Sequence, residues 1–65
     1  MGVDEVIELL GGDQAAADRL GLGRTAIVMW RANGRMPLRH VERVAGELGL
    51  PVETVLQATK RRAAA

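Results

Sequence analysis

Between residues 19 and 40 the only formally charged side chains are five arginines: Arg19, Arg24, Arg31, Arg35 and Arg39. A guanidinium is always protonated and carries a planar fork of donors that fits phosphate oxygens and the edge of guanine. Five of them with no acid between them suit a polyanion. The acids lie on either side: Asp4, Glu5, Glu8, Asp13 and Asp18 before the stretch, Glu42, Glu47 and Glu53 after it. Arg43 stands among the later acids, and Lys60, Arg61 and Arg62 make a basic end. The formal net charge of +1 over 65 residues conceals this division. The competing reading is that the arginines are scattered solvating charges, and composition alone does not choose between the two.

Other chemistry is poorly provided for. The chain has no cysteine, no serine and one histidine, His40, so nucleophilic triads, thiolate zinc sites and histidine-rich metal sites lack their residues. No glycine-rich phosphate loop is present either. The expectation is a protein without catalytic residues, metal or cofactor. His40 reads as a helix-surface or partly buried residue and not a ligand. Trp30 is the sole aromatic, too few for a platform on which single-stranded bases stack. No apolar run approaches the ~18 residues of a membrane span, and no basic-then-apolar leader opens the chain, so a cytoplasmic protein is expected.

These side chains need elements to hold them. A chain of 65 residues is expected to form one domain, residues 1–65, that buries only about 60% of its unfolded surface. Without disulfides or metal, tight helix packing or oligomerisation must supply the rest. Glycines and prolines cut the chain into five segments. Val3, Val6, Ile7 and Leu10 follow helical spacing, and Gly11 stops that helix. Asp13 reads as the N-cap of a second helix, Gln14 to Leu20. A third runs from Arg24 to about Ala32, with Ala26, Ile27 and Trp30 on one face and Asn33-Gly34 at its end. A fourth is expected to open at Pro37, with Leu38, Val41, Val44, Ala45 and Leu48 inward and Gly49 as its stop. A fifth follows Pro51, lined by Val52, Val55, Leu56 and Thr59; the end of the chain, about 60–65, is expected to fray. No segment reads as a strand. The predicted class is all-α.

The second and third helices are joined only by Leu20-Gly21-Leu22-Gly23. A short glycine turn between two helices is the mark of a helix-turn-helix, whose second helix enters the major groove. Ala17 is small enough for a close crossing, Gly21 sits where the turn requires positive φ, and Leu20, Leu22, Ile27 and Trp30 point inward. The stretch 13–32 resembles the helix-turn-helix of phage Cro and lambda-repressor-like regulators, including the small Cro/YdaS-type proteins. The run Trp30-Arg31-Ala32-Asn33-Gly34-Arg35-Met36-Pro37 is similar to the tryptophan, glycine, apolar, proline run that follows the recognition helix in that type. With the flanking helices the resemblance covers nearly the whole chain.

That resemblance implies a lambda-repressor-like domain of five short helices that binds double-stranded DNA as a repressor-like transcription regulator. Its recognition helix would be residues 24–32. Arg24 and Thr25, at the start of that helix, are then placed at base edges, Arg24 against guanine. Gln14 resembles the residue that clamps a phosphate at the start of the second helix, although Asp13 stands where the family often has glutamine and would repel a phosphate. Arg31, Arg35 and Arg39 are expected on the flanking phosphates. Val28 and Met29 depart from the family, which tends to place polar base readers there. They suit either thymine methyl groups or a protein partner.

Two functions therefore stay open: a DNA-binding regulator, and a protein-interaction module, antirepressor- or antitoxin-like, using Val28 and Met29. A homodimer is expected from size, because two half-sites give the affinity one small module lacks. Val52, Val55 and Leu56 are the candidate dimer face, or else they complete the monomer core.

Overall fold

The computed structural model describes residues 2–60, with no side-chain description for Lys60. Among the described residues the protein is all-helical: α1 (Val3–Leu9), α2 (Asp13–Leu20), α3 (Arg24–Asn33), a 3-10 turn (Leu38–His40), α4 (Val41–Leu48) and α5 (Val52–Lys60), with no strand. The expected fraying of the tail, and Arg61 and Arg62 of the basic end, lie outside the described residues. No helix in the described part is long and apolar enough to cross a membrane.

The core is made by the apolar stripe of each helix. Val3, Val6, Ile7 and Leu10 from α1 meet Ala16, Ala17 and Leu20 from α2, Ile27 and Trp30 from α3, Val41, Val44 and Ala45 from α4, and Val55 and Ala58 from α5. α2 packs on α3 and α4 on α5, while α1 touches α2, α3 and α5 and so ties the two pairs together. Alanines at 16 and 17 leave no bulk to separate α2 from its neighbours.

The joint between α2 and α3 is three residues long. Gly21 takes φ +70°, a left-handed conformation that costs glycine nothing and other residues strain. Its position lets the Leu22 N–H donate to the Ala17 carbonyl at 2.9 Å, closing the end of α2. Leu22 then packs against the core and Gly23, in extended geometry, starts α3. α3 ends on Gly34, whose N–H donates to the Trp30 carbonyl at 2.8 Å.

Several expectations are corrected. Asp13 is not an N-cap: Gly12 holds that position without a side-chain bond, and Asp13 lies inside the first turn of α2. Pro37 is extended, at ψ 138°, so the fourth helix does not start there; a single 3-10 turn intervenes before α4. Within that turn Leu38, expected to face inward, points outward and is 66% exposed, while Met36, for which no inward place was expected, is buried. On α5 the inner face is Val55, Ala58 and Thr59, with Leu56 half-buried and Val52 exposed. Val55, offered as part of a dimer face, is fully buried within the monomer.

Thr59 explains how the segment after α3 is held. The Met36 N–H donates to Thr59 Oγ1 at 2.9 Å, and that hydroxyl donates to the Met36 carbonyl at 3.1 Å. Both backbone groups of a buried, non-helical residue thus find partners on α5. The Trp30 ring stacks obliquely on His40, centroids 5.4 Å apart and planes at 39°, which sets the 3-10 turn against α3.

Candidate nucleic-acid interface

The third helix has two faces of different chemistry. Ile27 and Trp30 are buried, and Arg24, Thr25, Val28, Met29, Ala32 and Asn33 are exposed. At ~100° per residue, the four predicted base readers, Arg24, Thr25, Val28 and Met29, fall within about 140° of arc on the solvent side. Val28 is 46% and Met29 52% exposed, two large apolar side chains side by side on the surface. No acid occurs anywhere on this helix.

Beside this helix an open groove separates α3 from the following turn. Ala26, Met29, Asn33, Arg35 and Leu38 line it over a floor of Trp30, Met36 and Pro37. The structure therefore brings Arg35 to the same side as Met29. Arg39 is exposed but lies in a different depression, with Glu42, Arg43, Gly46 and Glu47 on α4. Gln14 is exposed at the start of α2, and its amide donates to Asp18 Oδ1 at 3.0 Å. That bond occupies one of the two amide N–H groups, and a phosphate taking the other would lie near the Asp18 carboxylate.

The five central arginines divide by their partners. Arg31 leaves the predicted phosphate set: its Nε pairs with Asp13 Oδ1 at 2.6 Å, Nη2 with Glu8 Oε2 at 2.7 Å and Nη1 with Asp4 Oδ1 at 3.3 Å. One guanidinium among three carboxylates leaves local negative charge, so a phosphate would be repelled. The hydrogen bonds that Arg31 donates to Asp13, and then to Glu8, raise its pKa above the ordinary guanidinium value. This cluster also accounts for Asp13, which serves as a ligand of Arg31. Arg19, too, is engaged: its Nε lies 3.4 Å from Glu47 Oε1, and its own carbonyl accepts a bond from Arg43 Nη2 at 2.9 Å. Arg24, Arg35 and Arg39 enter no ion pair among the described residues.

His40, half-buried against Trp30, has its pKa lowered, first by removal from water and then by Arg39 and Arg43 nearby. A neutral imidazole is thus favoured in the folded protein. Sequence reading missed two surface residues. Asn33 continues the exposed line four residues after Met29, a spacing legible beforehand; Leu38 was hidden by the assumption that Pro37 opened an α-helix. Comparisons with protein-family models, curated proteins and solved structures return no match.

Proposed function

We propose that this chain is a sequence-specific binder of double-stranded DNA, a repressor-like regulator of transcription built on a lambda-repressor-like helix-turn-helix, with α3 in the major groove. The observation that carries the reading is the outer face of α3. It is exposed, free of acids, headed by Arg24 and flanked by Arg35, while Arg39 is exposed in the separate depression on α4; none of the three has an ion-pair partner among the described residues. The acids of α1 and α2 that could oppose it are partly bound up with Arg31. An arginine at the head of an exposed helix joined by a short turn to its predecessor fits base readout, while arginines beyond its far end fit phosphates.

The function would place the protein with DNA in the cytoplasm, with no chemistry of its own and no cofactor. One module covers too little DNA for a regulator's affinity, so we propose a homodimer on two half-sites. With Val55 committed to the core, Val52 and Leu56 are what α5 can offer a second copy. Sedimentation showing a monomer both free and on its preferred duplex would remove the dimer. For the function itself, the test is selection of bound fragments from a random-sequence duplex pool, followed by titration at several salt concentrations. Enrichment of a common sequence and affinity falling steeply with salt are expected.

A second reading has its own observation. Val28, Met29 and the 66%-exposed Leu38 offer apolar surface at and beside the groove, as a protein-interaction module of antirepressor or antitoxin type would. Indifference to duplex DNA and heparin at low salt, with a stoichiometric complex with another protein, would establish it instead.

A further inference from the structure

We propose that the apolar part of the α3 face reads the C5-methyl group of a pyrimidine in the major groove, whether carried by thymine or by 5-methylcytosine, near a guanine held by Arg24. This rests on the DNA-binding reading above. In the major groove guanine presents two acceptors, adenine an acceptor and a donor, and unmodified cytosine a donor. Only a C5-methylated pyrimidine presents a methyl group there. Val28 has no polar side-chain atom and Met29 only a weakly accepting sulfur. Placed on a polar base edge, they strip water from donors and acceptors and return no hydrogen bond. Placed on a methyl group, they remove apolar surface from water on both sides. About half of each side chain is still exposed, 46% for Val28 and 52% for Met29, so that burial remains to be gained.

The neighbours narrow the pattern. Arg24 stands one helical turn before Val28 on the same exposed face. A rise of about 6 Å over four residues spans roughly two base-pair steps of about 3.4 Å. A helix lying along the groove therefore sets the methyl group within about two pairs of the guanine. The apolar centre is framed by the arginines at 24 and 35, with no acid on α3. Cations around an apolar centre suit a polyanion that displays methyl groups in its groove. Because the contact is to a methyl and not to a hydrogen-bonding pattern, this position accepts 5-methylcytosine paired with guanine in place of thymine paired with adenine.

The experiment uses the full chain and duplexes selected from the random pool. Each thymine of a bound duplex is replaced singly by deoxyuridine, which removes only the methyl; the affected pair is then remade as 5-methylcytosine·guanine and as cytosine·guanine. We expect deoxyuridine to weaken binding about fourfold at each contacted methyl. The 5-methylcytosine duplex should keep its affinity and the cytosine duplex lose it. Val28→Ala and Met29→Ala, both on the exposed face and so expected to fold, should bind more weakly and diminish the deoxyuridine effect. Equal affinity for thymine and deoxyuridine duplexes overturns the inference while leaving the DNA reading intact. A deoxyuridine effect unchanged in both variants overturns the assignment to these residues. Failure to bind any duplex overturns the DNA reading and this inference together.

Discussion

The proposed function gives arginine three separate roles, and substitution should sort them. If Arg24 holds a guanine, Arg24→Ala weakens the preferred duplex by about 1–3 kcal/mol and a scrambled duplex less. Arg35→Ala and Arg39→Ala should weaken both duplexes alike, each lowering the salt slope by about one unit. Arg31→Gln should leave the affinity of the folded protein nearly unchanged and lower its melting temperature instead, because it releases Asp4, Glu8 and Asp13 together. Titrations at several salt concentrations, paired with thermal melts, separate the three; a flat melting temperature for Arg31→Gln would sink its structural role. Thr59 makes a second residue-scale test. Thr59→Val keeps the shape and deletes the hydroxyl that serves both the Met36 N–H and its carbonyl. Two buried backbone groups are stranded, at a cost of about 1–3 kcal/mol each, read by urea unfolding.

At the scale of the element, glycine has opposite meanings in two places. Gly46 lies inside α4 on its exposed side, with nothing within 4 Å of where a Cβ would stand. Gly46→Ala should therefore stabilise by about 0.5–1 kcal/mol through backbone entropy alone. Gly11, between α1 and α2, sits at φ +107°, and a Cβ there would lie 2.8 Å from the Ala15 Cβ. Gly11→Ala should destabilise by about 1–3 kcal/mol. Thermal melts of the pair moving in opposite directions are the expected result; both moving down would mean that the openness around Gly46 does not persist in solution. Five helices were legible from apolar spacing and glycine stops, because short amphipathic segments leave few alternatives. The 3-10 turn was not. A proline is compatible with N1 of a helix and with an extended residue before a turn, and the choice lay in the Thr59 hydroxyl and the Trp30 ring, 22 and 7 positions away from Pro37.

For the molecule as a whole, His40 couples folding to pH. Its pKa is lowered in the folded state, so above its ordinary value of about 6.5 both folded and unfolded chains hold a neutral ring and stability is intact. As pH falls through that value, the unfolded chain takes up a proton that the folded chain resists, and stability declines until the folded pKa is passed. His40→Gln should flatten this part of the profile, compared as slopes because the ring contact with Trp30 is also lost. An unchanged slope between pH 5 and 7, about the window in which histidine titrates, would assign the decline to other groups. Arg31 acts at the same scale. It joins α1, α2 and α3 through residues up to 27 positions apart, so loss of that clasp should loosen α1 before the α2–α3 pair.

The helical segments, their stops, the inward places of Ile27 and Trp30 and the arginine-only stretch could be read from the residues, since spacing, left-handed glycines and charge are local properties. The outward places of Arg24, Thr25, Val28 and Met29 followed from the same spacing. Which arginines remain unpaired could not be read so. Arg31 and Arg24 look alike in the chain, and only the packing of α1 beside α3 places Asp4 and Glu8 within reach of one and not the other. The same holds for Val55 and Val52, three residues apart on α5: one is fully buried and the other exposed because of where α1 and α4 lie against that helix. Local sequence decides what each side chain is able to do. Which of those abilities is already consumed inside the molecule depends on neighbours distant in the chain, and the tertiary structure alone brings them together.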